Sequence, residues 1–132
     1  MKKSYLFDTN SLLDILLLRK GKSESETIIT QAQKDLVDVH IPNIVFFEIE
    51  WVLRSVYKRE RTYIADFLSS LLAIDGLLTE NKTLLIQSLR LYSKHSTIGL
   101  VDALLVAQAL ACNSSLITRD KKLLSLYKTL SK

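Results

Sequence analysis

SYLFDTNSLLDILLL, residues 4–18, decides how the rest of the chain is read. Ser4–Phe7 is a short apolar run that suits a strand, and it stops at Asp8. From Asn10 to Leu18 the pattern becomes helical, with Leu12, Leu13 and Leu16 on one face. A strand that hands over to a helix opens a parallel α/β unit. Such sheets put their ligand sites outside the carboxyl ends of the strands, which is where Asp8 stands. A carboxylate in apolar surroundings is costly unless something pairs with it.

The alternation continues down the chain. RKGKSESE reads as a loop, and Ser23 with Glu26 forms a capping box that opens a second helix to about Lys34. Val37–Ile41 is expected as a second strand. Pro42 opens a third helix running to about Lys58, where its missing N–H costs nothing. Further helices are expected over Arg61–Ala73, from a Thr79 cap to about Lys94, and over Leu100–Ala111. Ile74–Leu78 is a turn or short strand around Gly76, Ser115–Thr118 a last strand, and a short helix follows Asp120. Alternating strands and helices imply parallel strands with helices on both faces.

The bulk numbers agree with one domain over residues 1–132, long enough to bury a real core. A hydrophobic share of 48%, with three Gly and one Pro, excludes disorder and a turn-rich all-β fold. The net charge of +4 permits a nucleic-acid partner without demanding one. Cys112 is the only cysteine, so no intrachain disulfide can form and a reducing cytoplasm is the expected compartment. It follows the apolar run VDALLVAQALA and is expected in the core. No secretory leader is expected, because the apolar run after Lys2 and Lys3 breaks at Asp8. The longest apolar stretches are too short and interrupted to span a membrane. Nucleotide-binding glycine loops and a serine-hydrolase elbow are absent.

Four acids interrupt apolar or turn-forming segments: Asp8, Glu48, Asp102 and Asp120. At about 100° per residue, Glu48 shares a helix face with Ile44, Val45, Trp51 and Val52, so it is expected to point at protein. Glu50 falls beside Arg54, four residues on, and is expected as one half of an exposed ion pair. Asp102 lies in the first turn of a helix apolar nearly all round, where the helix dipole favours it in any case. Asp120, in TRDKK, could equally be a turn residue or the cap of the last helix. Four such interruptions suggest that something cationic collects them, and a hard divalent metal ion is the simplest candidate.

Four segments in order, LFDTN, the P-x-x-x-x-x-E-x-x-W-V-L helix from Pro42, VDALLVA and TRD, resemble the PIN domain family. More narrowly, they look like the VapC-type toxins of toxin–antitoxin pairs. The resemblance spans Tyr5 to Tyr127. It implies a three-layer α/β/α fold around a parallel sheet of four or five strands. It also implies a Mg²⁺- or Mn²⁺-dependent endoribonuclease, a homodimer, and a small antitoxin protein that blocks the site. The family's acids carry over to Asp8, Glu48, Asp102 and Asp120, and its supporting polar residues to Asn10 and Thr118. Many relatives carry one more acid, three residues before the third, where this chain has Gly99.

On this reading Asp8, Asp102 and Asp120 are the main metal ligands, and Glu48 ligates through water or orients the attacking water. RNA must be drawn to a negative site, so basic residues should rim it. Arg19, Lys20 and Lys22 after the first helix, and Arg119, Lys121 and Lys122 around Asp120, are the candidates. Two other readings compete. One is a PIN-like module that has lost catalysis and acts through a protein partner. The other is a helical protein whose acids are buried ion-pair partners.

Overall fold

Tyr5, Val39 and Leu77 stand side by side across three strands, and that row sets the inner face of the molecule. The structure, a computed structural model, describes residues 2–17 and 24–132. Strands β1 (Ser4–Leu6), β2 (Asp38–His40) and β3 (Leu77–Leu78) form one parallel sheet in the order β1-β2-β3. Strand side chains alternate between faces, so Val39 and Leu77 are fully buried while Leu6, His40 and Leu78 form an exposed row on the other face.

Seven helices complete the described chain: α1 (Thr9–Leu16), α2 (Glu24–Gln33), α3 (Asn43–Ser55), α4 (Arg61–Leu72), α5 (Lys82–Lys94), α6 (Leu100–Ala111) and α7 (Lys121–Leu130). Helix α2 packs on β2 and α4 on β3, while α3 meets α1, α4 and α6. Helix α5 lies against α4 and α6, and α7 against α6. The core is built where these faces meet, from Phe46, Ile49 and Leu53 of α3, Ile64 and Leu68 of α4, Leu85 and Leu89 of α5, and Leu100 and Val106 of α6. Each such side chain contributes about 1.5–3 kcal/mol relative to leaving it in water.

Two fold expectations are corrected. Three strands, not four or five, are present among the described residues, and Leu6, His40 and Leu78 are exposed on the sheet face opposite the core. The expected last strand, Ser115–Thr118, is irregular chain, and its Ile117 is 91% exposed. β-Branched residues favour a strand only where a face is buried against something, and here nothing covers Ile117.

Helix ends move by a few residues for reasons of capping. Asp8 itself caps α1, so that helix starts at Thr9, one residue early. Pro42 is the residue before α3 rather than its first, and α3 stops at Ser55 rather than Lys58, which adopts a left-handed φ of 53°. The Asn43 N–H donates to both Glu80 carboxylate oxygens, at 2.8 and 3.0 Å. An anion at a helix start is the favourable arrangement. Asn81, not Thr79, caps α5 by accepting from the Leu84 N–H. Thr79 instead donates to Asn43 Oδ1 at 2.6 Å. The expected end of the first helix at Leu18 and the Ser23 cap lie outside the described residues. Cys112, expected in the core, is exposed at the C-terminal cap of α6, one residue beyond the apolar run.

Gly76 is where α2 and the sheet press together. Its N–H donates to the Ala32 carbonyl and its carbonyl accepts from the Val39 N–H, at 3.1 and 2.7 Å. A Cβ at this position would sit 2.4 Å from the Val37 carbonyl oxygen and 2.8 Å from that of Ala32. Only glycine fits that approach.

Candidate active site

Helix α3 has two apolar stripes, and the one that packs is not the one the sequence favours. Phe46, Ile49 and Leu53 turn inward and carry Glu50 with them, leaving it 5% exposed. Ile44 and Trp51 are exposed, and Glu48 stands between them in water. The expected orientations of Glu48 and Glu50 are therefore reversed. A helix apolar on two sides has no single phase that names its core face; the tighter Phe46–Leu53 stripe decides it.

Glu50 is bound into a structural network. Its Oε2 accepts from Arg54 Nε at 2.7 Å and from the Tyr92 hydroxyl at 2.9 Å. Burial pushes the Tyr92 phenol far above its ordinary value, with the neighbouring Glu50 carboxylate adding to the effect, so Tyr92 remains a donor. The Arg61 guanidinium lies 4.1 Å from the Tyr92 ring centroid and donates to the carbonyls of Tyr92, Ser96 and Ile98. Those bonds fasten the segment leading to Gly99, the residue before α6.

Asp8 and Glu48 are brought together at the carboxyl end of β1. The Ser11 backbone N–H and its hydroxyl both donate to Asp8 Oδ1, at 2.9 and 3.0 Å. The Ser11 bonds hold the Asp8 carboxyl below the usual carboxylate range, so it is ionised throughout the neutral range. The next residue, Thr9, donates its hydroxyl to Glu48 Oε1 at 2.8 Å. Ser11 and Thr9, two positions apart, thus fix one acid each, Ser11 the cap of its own helix and Thr9 the acid across on α3.

Asp102 occupies the first turn of α6, half-buried, with no hydrogen bond or ion pair among the described residues. Asp120 caps α7: its Oδ1 accepts from the Lys122 and Leu123 N–H groups at 3.0 and 3.2 Å. The Asp120 N–H in turn donates to the Thr118 hydroxyl at 3.1 Å, so Thr118 sets the turn. Asn10 is exposed in the first turn of α1. Arg119, Lys121 and Lys122 surround Asp120 on the surface, whereas Arg19, Lys20 and Lys22 lie outside the described residues.

The four acids do not close into a cage. Among the described residues no group of three or more His, Cys, Asp or Glu side chains stands ready to hold a metal ion. Asp8 and Glu48 are linked through Thr9, Asp102 lies on the helix that touches α3, and Asp120 lies on the helix that touches α6.

The chain matches the PIN domain family over residues 5–129. It belongs to that family. PIN domains are in general nucleases and typically use divalent metals. Neither the curated proteins nor the solved structures include a match to this PIN domain. Its donor set is made only of carboxylates, which suits a hard cation. Their spread suits a cation that keeps several waters, as Mg²⁺ does, and does not suit a metal ligated by protein alone. Thr9 and Ser11, which orient the first two acids of this PIN domain, were missed by sequence reasoning, because a small hydroxyl residue beside a strand-to-helix turn carries no mark of what it will bond. Glu50 gave a false signal, because its pairing with Arg54 looks the same in sequence whether exposed or buried.

Proposed function

We propose that this PIN domain is a Mg²⁺- or Mn²⁺-dependent endoribonuclease, the toxin of a toxin–antitoxin pair. On this reading it works in the cytoplasm as a homodimer that a small antitoxin holds inactive. The observation that carries the reading is the hydrogen bond from Thr9, the residue after Asp8, to Glu48, which ties together the segments bearing two of the candidate acids beside the end of β1.

Asp8, Asp102 and Asp120 would hold the ion, with Glu48 reaching it through water. The bound metal supplies charge neutralisation at the phosphate and a more acidic water. The residues divide the remaining work. Ser11 keeps Asp8 ionised and aimed, and Thr9 restricts Glu48 to the rotamer in which it faces the Asp8 side. Glu48, exposed and held by one oxygen, would orient the attacking water. Asp102, without a hydrogen-bond or ion-pair partner among the described residues, would take a cation without first losing such a bond. Arg119, Lys121 and Lys122 offset the negative field for an approaching phosphate.

The exposed apolar side chains Ile44 and Trp51 on α3, with Val101 and Leu105 on the neighbouring α6, support a protein partner over this surface. Gly99 has open space around it, so the acid that many relatives carry there is replaced by room rather than by another side chain.

Asp8→Asn is expected to abolish metal-dependent RNA cleavage and leave the circular dichroism spectrum unchanged. Cleavage at the wild-type rate by that variant removes Asp8 from the chemistry. A wild-type chain that cuts no RNA in either metal, yet binds a partner protein, is the inactive binding module instead.

A further inference from the structure

Helix α7 is the most one-sided surface of the described chain. Lys121, Ser125, Lys128 and Lys132 follow one another at helical spacing, and no acid lies between Lys121 and Lys132. Two clefts flank this stripe. One, of about 590 Å³, lies between α7 and the segment joining α5 to α6, and is lined by His95, Thr97, Lys121, Lys122, Ser125 and Thr129 among others. The other, of about 310 Å³, runs along Lys121, Leu124, Ser125, Lys128, Thr129 and Lys132. They share Lys121, Ser125 and Thr129, so they form a continuous groove, and among the described residues no Asp or Glu side chain lines either part.

From this we infer that the α7 groove is a binding tract for the sugar–phosphate backbone of an RNA strand, extending from Lys121 along the helix to Lys132. This deepens the nuclease reading and rests on it for the identity of the ligand. Among apolar side chains such as Leu124 and Leu126, the polar groups lining the groove are ammonium, hydroxyl and imidazole, the donor set that phosphate oxygens require. Its length separates a strand from a single anion. A ten-residue helix is about 15 Å long, whereas one phosphate needs only one or two of these lysines. A linear row of cations matches a linear row of charges. The groove begins at Lys121, the residue after Asp120, one of the candidate site acids, so a strand held there would pass close to the proposed cleavage site. His95 and Thr97 come from the segment that Arg61 fastens, which gives the groove a fixed second wall.

The test measures binding separately from cleavage. Affinity for a fluorescent single-stranded RNA oligonucleotide is read by anisotropy in EDTA, over a range of salt, for the full chain. The triple variant Lys121→Ala, Lys128→Ala, Lys132→Ala is expected to bind at least tenfold more weakly. Its slope of log affinity against log salt should be smaller by about 2, at roughly 0.7 per lost phosphate contact. The corresponding Lys→Arg triple should restore both. A second triple, Lys3→Ala, Lys34→Ala, Arg59→Ala, removes the same charge elsewhere and should bind within twofold of wild type. Equal losses in the two triples, or an unchanged salt slope in the first, overturn the groove. Polyglutamate that displaces the RNA at matched charge concentration also overturns it, as a generic polyanion surface. The two readings fail separately. RNA binding by wild type without cleavage in Mg²⁺ or Mn²⁺ defeats the nuclease and leaves the groove. Cleavage and binding that the α7 triple leaves untouched defeat the groove alone.

Discussion

Glu48 and Glu50 are two residues apart on one helix and live in different solvents. Glu50 is surrounded by core and answers to Arg54 and Tyr92. Glu48 is in water and answers only to Thr9 among the described residues. Their substitutions should separate accordingly. Glu50→Ala leaves the buried Tyr92 hydroxyl without its acceptor and is expected to cost about 2–3 kcal/mol in urea denaturation. That figure sits below the full cost of breaking a buried ion pair, because Arg54 is half in water. Glu48→Ala should change stability by less than about 0.5 kcal/mol while lowering RNA cleavage at least tenfold. Equal stability losses in the two variants would contradict the orientation of α3. At this scale the sequence was legible wherever a residue's local chemistry is its role, as with Asp120 capping α7. It was not legible on α3, where the choice between two apolar stripes depends on what α1, α4 and α6 bring to the contact.

Gly76 shows how elements constrain each other. The end of α2, the start of β3 and the middle of β2 meet at its backbone, and the atoms nearest an added Cβ are carbonyl oxygens and a Cα, which cannot swing aside as a side chain can. Gly76→Ala is therefore expected to unfold the chain or to lower its stability by about 3 kcal/mol or more, read as the midpoint of thermal unfolding. A loss under 1 kcal/mol would mean that the three elements do not meet as described. The helices were legible from periodicity, and α6 matches its expected limits residue for residue. The strands were harder. With only two or three residues each, they offer almost no period to read, and Ser115–Thr118 had strand-forming residues without a surface to bury them.

Across the whole molecule, a chain of net charge +4 sets four separated carboxylates along one run of packed elements, β1–α1, α3, α6 and α7. If those acids bind a cation, the ion is a ligand of the folded state alone. At a hundred times its Kd it would add about 2.7 kcal/mol, enough to raise the unfolding temperature by several degrees. Mn²⁺ should produce that rise in the wild type and a smaller one in Asp8→Asn. An identical melting curve with and without the ion would leave the acids as caps and surface charges. The PIN fold was legible at this scale because its motifs fall in order along the chain. The exposure of the Leu6–His40–Leu78 row was not, since an exposed strand face and a covered one read alike over three residues.

Cys112 ends α6 at the surface, and it is the only thiol in the chain. A maleimide dye or nitroxide would therefore attach at one known address, two residues before Ser114, whose carbonyl accepts from the Tyr127 hydroxyl of α7. The molecule carries its own spectroscopic handle beside the junction of its last two helices, with no engineered cysteine needed. The same thiol can join two copies through an intermolecular disulfide in air, so the protein's apparent size on a column has meaning only in reducing buffer.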